Sequence, residues 1–340
     1  MDNRNRQVLL KRRPAGTPTS ADFEIVDAPI PDPGEGEALV RGIYLSLDPY
    51  MRGRMSAARS YAKPVEIGAV MEGRVVGQVT HSRDPKLREG DYVLGGYGWQ
   101  IFSAVPAGAL TQLDPREAPL STALGVLGMP GLTAYVGLSD IGKPQRGETV
   151  VISAASGAVG AVAGQLAKNA SARVVGIAGG GDKCRYVQDE LGFNGCIDHH
   201  SAELGTALDR ACPNGIDVYW ENVGGPVQAA VFPRLNDFGR MVMCGMVAEY
   251  NDVEPRPGPN LMAVVRKRLK IQGFIVSDSW QRFGEYRAMA APLVRSGKLK
   301  YQEDIVAGLE RAPEAFIGLL QGRNFGKLLI KLSEDPTASA

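Results

Sequence analysis

The chain is poor in metal ligands, with four cysteines and three histidines among 340 residues. Cys184, Cys196, Cys212 and Cys244 include no CxxC pair, which excludes a zinc ribbon or a thioredoxin-like dithiol. So few cysteines in so long a chain argue against a disulfide framework, and a reducing cytoplasm is expected. Charge of one sign is missing too. Lys and Arg number 38 and Asp and Glu 37, a net +1, which excludes a nucleic-acid partner held by a basic surface. Long hydrophobic runs are absent. The most apolar stretch, 150–167, is interrupted by Ser153, Ser156, several glycines and Gln165, so no membrane span is expected. The basic N-terminal stretch carries only the short apolar run Val8-Leu9-Leu10, too little for a signal-peptide core. No solenoid-period repeat or low-complexity tract occurs, nor any GxSxG, HExxH or Walker A pattern, which removes the corresponding hydrolase and nucleotide-hydrolysis classes.

What is present is glycine, 42 residues of it, and a length that calls for two cores. The first third holds short β-like runs at 38–45, 70–80 and 91–94. They are separated by turns such as Pro31-Asp32-Pro33-Gly34 and Arg88-Glu89-Gly90-Asp91, a pattern that predicts a β-rich, barrel-like domain. The pattern changes near Leu120. Strands at 148–155, 173–178, 217–221, 240–245 and 270–275 follow, with helices at 159–169 and 184–191 between the first of them. Such alternation predicts an α/β doubly wound parallel sheet. The last residues change again. A helix at 312–320 puts Phe316, Leu319 and Leu320 on one face, and a β-like run at 326–332 is expected to return to the first domain. The polar tail from Ser333 is expected to fray. The domains expected are 1–125, completed by 302–340, and 126–301.

The strongest chemical signal is Val150-Val151-Ile152-Ser153-Ala154-Ala155-Ser156-Gly157-Ala158-Val159-Gly160. An apolar strand enters a small-residue turn and then a helix. Ala155, Gly157 and Gly160 take the three places of GxGxxG, with alanine for the first glycine. Small residues let the backbone approach a pyrophosphate and the helix pack close to the strand. The helix amides then face the anion. Enzymes of NAD usually carry an acid about 20 residues on, for the ribose 2′-hydroxyl. Here that strand ends in Gly179-Gly180-Gly181-Asp182-Lys183. Lys183 suits a 2′-phosphate, where a carboxylate would repel it, so NADPH is the expected cofactor. Asp182 is the alternative, as a ribose acid reached by a shift of one or two residues.

Six segments now converge on one family. They are Leu47-Asp48-Pro49-Tyr50-Met51-Arg52, Gly128-Met129-Pro130-Gly131-Leu132-Thr133-Ala134-Tyr135, the stretch 154–160, Glu221-Asn222-Val223-Gly224-Gly225, Glu249-Tyr250-Asn251 and Gly322-Arg323-Asn324-Phe325-Gly326-Lys327. On these the chain resembles the zinc-free medium-chain dehydrogenase/reductases, in their prostaglandin reductase, alkenal double-bond reductase and bacterial curcumin reductase branch. The stretch 60–68 is similar to the curcumin-reductase group. The resemblance implies a GroES-like catalytic domain, a Rossmann domain, NADPH in a cleft between them and a homodimer. It implies that Lys183 meets the 2′-phosphate. His199, in Asp198-His199-His200, stands where relatives often carry a tyrosine near the cofactor phosphates. Ala155, Gly157, Ala158, Val159, Gly160, Gly179, Asn222, Cys244, Gly245, Met246, Phe274, Ile275, Val276, Asn324 and Gly326 fall in segments that line the cofactor. Thr133 falls near the nicotinamide, and Tyr250 near the nicotinamide ribose and the substrate carbonyl.

No zinc site is expected. Zinc-containing relatives need early Cys and His ligands and a cysteine-rich lobe, whereas this chain has Asp48-Pro49, Met71 before Glu72, and no cysteine before Cys184. His81, in a polar turn, reads as a solvated surface residue. The activity implied is reduction of the C=C bond of α,β-unsaturated ketones and aldehydes, small-molecule substrates with no nucleic-acid or membrane partner. Hydride reaches the β-carbon, negative charge builds on the carbonyl oxygen, and a positioned donor lowers that barrier. Tyr250 and Tyr61 are the candidate donors, with Tyr50 a third that fits a structural turn as well, and water competes as the proton source. A quinone reductase and a non-catalytic NADPH-binding protein are the competing readings. The loop 56–65 and the stretch 249–260 are expected to rim the substrate pocket.

Overall fold

The run Thr149-Val150-Val151-Ile152-Ser153 is buried at every position, as expected for a β-branched strand covered on both faces. In the computed structural model, which describes residues 4–200 and 203–338, this strand sits at the centre of a parallel sheet. Six strands build that sheet among the described residues: β1 (Thr149–Ser153), β2 (Arg173–Ala178), β3 (Gly195–Asp198), β4 (Ile216–Glu221), β5 (Leu235–Met243) and β6 (Lys270–Gly273). Their order across the sheet is β3-β2-β1-β4-β5-β6, with every pair parallel. This is the strand order of a Rossmann sheet, in which the connections reverse direction between β1 and β4. Each fully buried Val or Ile of β1 contributes about 1.5–3 kcal/mol by leaving water.

The chain divides into two units, one of Gly125–Gln302 with Phe325–Lys327 and one of Met1–Leu124, Glu303–Asn324 and Leu328–Ala340. The first unit carries the parallel sheet. Helix α1 (Gly160–Asn169) follows β1, α2 (Leu204–Ala211) follows β3 and α3 (Gly225–Val231) follows β4. One core forms where α2, α3 and the segment Phe232–Arg234 cover Val151, Val175, Tyr219 and Met241.

Strand and helix positions differ from the sequence expectation where backbone bonding decides the ends. The strand expected at 240–245 runs Leu235–Met243. It stops there because the amides of Cys244 and Gly245 both turn to the carbonyl of Glu221. The helix expected at 184–191 begins earlier, as Gly181–Arg185, and continues with a wider turn over Tyr186–Glu190. Strand β3 was not expected, being four residues long with no clear alternation.

In the other unit, Glu37–Ser46 is the hub of an antiparallel sheet. It pairs with Val75–Ser82, with Phe102–Pro106 and with the C-terminal strand Lys327–Lys331. Trp99 is fully buried, stacked on Phe23 at 5.7 Å and edge-on to Phe316 at 5.6 Å, so the helix Ala312–Leu320 buries the face expected of it. The tail differs from expectation. Ser333 donates to the carbonyl of Gly42, and Asp335 accepts from the amide and hydroxyl of Thr337. Asp335 also bonds the Tyr44 hydroxyl, whose pKa burial and Asp335 together push up to about 12. A short polar tail is held when its side chains find backbone and tyrosine partners. The fraying expected of Ser339 and Ala340 lies outside the described residues.

Candidate functional site

Because all six strands run parallel, their carboxyl ends share one edge of the sheet, where ligands of such sheets bind. Almost every candidate of the Rossmann unit follows one of those ends. The segment Ala155 to Gly160 follows β1, Gly179 and Lys183 follow β2, and His199 follows β3. Asn222 follows β4, Cys244, Gly245, Met246 and Tyr250 follow β5, and Phe274, Ile275 and Val276 follow β6. Residues spread over more than a hundred positions are thus gathered by topology alone. Thr133 lies on the helix Met129–Val136, where its hydroxyl donates back to the carbonyl of Met129 at 2.7 Å. Gly326 belongs to the same unit and Asn324 to the other.

The turn after β1 is tight. Ala154 takes φ +50°, a left-handed conformation that alanine avoids. Its carbonyl accepts from the amide of Gly157 at 3.0 Å. A Cβ on Gly160 would stand 2.4 Å from that same carbonyl oxygen and 3.1 Å from the Ala155 Cα. Only glycine lets α1 start so close to the strand. Among the described residues no acceptor is placed for the amides of Ala158, Val159 and Gly160, the donors at the entry to α1. Ala155 is wholly buried beneath. These features fit a pyrophosphate against the turn.

At the ends of β2 and β3 two loops face each other. A Cβ on Gly179 would meet His200 Cε1 at 2.8 Å and His199 Nε2 at 3.1 Å, so both imidazoles stand over that glycine. Asp198 is the acid of this corner, and its carboxylate is engaged by the backbone. It accepts from the amides of Gly180 at 2.9 Å and His200 at 3.0 Å, and those bonds hold its pKa below the usual carboxylate range. Asp182, the alternative ribose acid, pairs with Arg185. Burial, with His200 and Lys183 nearby, holds the His199 pKa below its ordinary value. The corner therefore presents Lys183 and two imidazoles, while Asp182 is paired with Arg185 and one oxygen of Asp198 is taken by two backbone amides.

Glu221, at the end of β4, was singled out only as part of a motif, and its role is larger. It is fully buried. One carboxylate oxygen accepts from the Ser153 hydroxyl at 3.1 Å and from the amides of Val223 at 2.6 Å and Gly224 at 2.9 Å. The other accepts from Gln228 at 3.1 Å. Asn222 then donates to the carbonyl of Ser153 at 2.7 Å and accepts from the Trp220 indole at 3.1 Å. The ends of β1 and β4 are locked together at the point where the strand order reverses. The sequence signal was an acid closing an apolar strand before Gly224-Gly225, whose turn exposes amides that need an acceptor. Tyr250 folds back on the segment after β5, its hydroxyl 3.4 Å from the Met246 amide that donates to it. Burial, with Glu221 nearby, pushes the Cys244 thiol up to about 12, so it is no nucleophile. Phe274 packs edge-on to Trp220 at 6.1 Å.

In the antiparallel unit Tyr61 is exposed, with its ring under the Arg54 guanidinium at 4.5 Å. Arg54 pairs with Glu72 at 2.8 Å and also lies 5.5 Å from the Tyr50 ring. Burial raises the Tyr50 hydroxyl pKa strongly, and Asp48 and Glu72 add to it, which keeps that hydroxyl neutral. Asp48 accepts from Ser46 and lies near Arg74. Met71 is fully buried. Among the described residues no group of three or more His, Cys, Asp or Glu side chains is placed to hold a metal ion; the residues present do not fit a zinc site. His81 is exposed and pairs with Glu89 at 3.1 Å.

The fold and this edge define a two-unit protein whose Rossmann sheet is built to hold a dinucleotide. Family models agree over both units. Residues 6–113 match the N-terminal domain of oxidoreductase and residues 158–294 match the zinc-binding dehydrogenase model. The chain belongs to the medium-chain dehydrogenase/reductase family, in its zinc-independent branch. It is 48% identical over 338 residues to the NADPH-dependent curcumin reductase of Escherichia coli K12, covering 98% of each chain. It is 39% identical to the NADP(+)-dependent 2-alkenal reductase of Nicotiana tabacum, covering 97% of this chain and 98% of that protein. The structure of CurA from Vibrio vulnificus in complex with NADPH superimposes with a TM-score of 0.93 at 47% identity, covering 97% of this chain and all of that one.

Proposed function

We propose that this chain is an NADPH-dependent reductase of carbon–carbon double bonds conjugated to a ketone or aldehyde. The observation that carries the reading is the corner after β2 and β3. Among the described residues the two carboxylates of this corner already have partners, Asp182 in Arg185 and Asp198 in two backbone amides, and Lys183 with two imidazoles suits a 2′-phosphate. The names of the curcumin and alkenal reductase relatives support the same substrate class.

A nicotinamide cofactor held at this edge would supply the hydride that reaches the β-carbon of the substrate. The chain's own residues do the rest. The turn from Ala154 to Gly160 seats the pyrophosphate, and Lys183 reads the 2′-phosphate. Glu221 and Asn222 keep the crevice between β1 and β4 fixed, so that little reorganisation is needed during reaction. Tyr250 is assigned as donor to the carbonyl oxygen as charge builds there, and a tyrosine hydroxyl or water delivers the proton to the α-carbon.

The test is an acceptor screen followed by NADPH absorbance, with alkenals, benzylidene ketones, curcumin-like diketones and simple quinones. Turnover of the conjugated carbonyls is expected. Turnover of quinones alone would replace this reading with a quinone reductase, and oxidation with no acceptor at all would leave a binding protein.

The reading extends to a homodimer. Edge strand β6 exposes Ile271, and Leu261, Met262 and Val265, a few residues before it in the chain, are exposed as well, apolar side chains of the kind found at interfaces. Light scattering should give twice the chain mass. All four cysteines are free, as suits a reducing, cytoplasmic site of action, and among the described residues no helix is long and apolar enough to cross a membrane.

A further inference from the structure

The two histidines at the end of β3 have no part in the hydride transfer proposed above, yet they stand against Gly179 at the corner to which the NADPH reading assigns the 2′-phosphate. Their position is fixed. The His199 amide donates to the carbonyl of Ala178 at 3.1 Å, and the His200 amide to Asp198 at 3.0 Å. The ring centroids are 4.2 Å apart, nearly edge to face. Measured from a Cβ position on Gly179, the two Nε2 atoms stand 3.1 and 3.3 Å away. Two titratable nitrogens therefore converge over the glycine that ends β2, on the side where Lys183 lies. We propose that His199 and His200 form a proton-coupled reader of the 2′-phosphate, one that takes up a proton when NADPH binds and so adds charge only for the phosphorylated cofactor. This rests on the NADPH reading above.

The groups facing the pair set the sign. Lys183 and the neighbouring imidazole disfavour a proton on His199, as does burial, whereas Asp198 favours it but is shared between two backbone amides. Arg185 and Asp182 neutralise one another. In the free protein His199 is accordingly neutral near pH 7. A phosphate dianion held by Lys183 within a few ångströms of the imidazoles reverses the balance, since an opposite charge at that range favours the charged imidazole. The folded pKa rises on binding. Affinity is then greatest at low pH and falls as pH rises between the free and bound pKa values, by up to about tenfold per pH unit for one proton. NADH offers no such charge and moves nothing.

Calorimetric titration in two buffers of different ionisation enthalpy tests this without turnover. At about pH 7.5 the phosphate itself is already a dianion, its second pKa being about 6, so any proton taken up belongs to the protein. Uptake of up to one proton is expected with NADPH and none with NADH. His199→Gln keeps a polar side chain that cannot titrate, and His200→Gln does the same for its neighbour. Each should still bind NADPH with reduced uptake, and the double variant with none. NADPH that binds wild type with no proton uptake, or uptake that persists in the double variant, overturns the inference while leaving NADPH as cofactor. Failure of wild type to bind NADPH at all sinks the cofactor reading and this one with it.

Discussion

Replacing Gly160 by alanine adds one methyl group at the tightest point of the turn after β1. That carbon would lie 2.4 Å from the Ala154 oxygen, with the Ala154 carbonyl carbon at 3.0 Å and Ala155 Cα at 3.1 Å. All three are backbone atoms, so no side chain can swing away. Relief requires α1 to shift or the Ala154 carbonyl to turn, and that carbonyl is the acceptor for Gly157. Overpacking of this kind costs about 1–3 kcal/mol. Alanine's better helix propensity returns at most about 1 kcal/mol, and less in a first turn. A net loss of about 1–2 kcal/mol should lower the melting temperature by about 2–8 °C for a unit of this size. The larger effect falls on binding, because the amides of Ala158, Val159 and Gly160 move with the turn. NADPH affinity should drop at least about tenfold, equivalent to about 1.4 kcal/mol. Gly157→Ala is the control. Its nearest contact is the same oxygen at 3.2 Å, a tight but much smaller overlap, so its loss of stability should be clearly less than that of Gly160→Ala. Thermal melts and calorimetric titration of both variants read the two effects. A Gly160→Ala protein that melts and binds like wild type would refute the close-approach argument for this turn.

Further outcomes follow from the same site. Lys183→Ala should weaken NADPH binding by about 1–3 kcal/mol, as for a charge-assisted contact, and leave NADH almost unchanged; equal losses in a fluorescence titration would remove the 2′-phosphate assignment. Tyr250→Phe should lower kcat for an enone while NADPH affinity survives, and an unchanged kcat in steady-state assays would take Tyr250 out of the donor role. Glu221→Ala strands the amides of Val223 and Gly224 and the side-chain amide of Gln228, while the Ser153 hydroxyl can still donate to the Trp220 carbonyl at 3.1 Å; a loss of about 2–4 kcal/mol in urea unfolding is expected, since each stranded buried donor costs about 1–3 kcal/mol and water will satisfy some. Tyr44 has a folded pKa raised to about 12 by burial and Asp335. Its contribution to stability is therefore full below the unfolded value of about 10 and is lost as pH rises from there towards 12, which denaturation midpoints measured across that range should show.

The strands were legible where sequence and burial coincide. Thr149–Ser153 and Arg173–Ala178 are apolar, β-branched and bounded by turns, and their ends fall close to expectation. The cofactor turn was legible for the same reason, because small residues at fixed spacing have a geometric purpose. Strand β3 and the helix Leu204–Ala211 were not legible, being too short for their periodicity to stand out. Nor was Phe283–Arg295, which carries Pro292 in its interior. Asp198 and Glu221 were missed as functional groups for another reason. What each carboxylate does depends on which amides fold onto it, and the letters around it do not state that. The convergence of His199 and His200 on Gly179 joins residues twenty positions apart and needed the strand pairing to become visible.

Strand Lys327–Lys331 lies beside Glu37–Ser46 although nearly the whole chain separates them. Seen from the ribosome, the Rossmann unit is an insert within the other one. The antiparallel sheet must wait, missing its C-terminal strands, while the 125–302 stretch emerges, roughly 10–40 s at ordinary rates of synthesis. During that interval the flank of Tyr44, Leu45 and Ser46 is an unfilled slot open to stray pairing, so nascent chains halted before Lys327 are the species that chaperones have to shield.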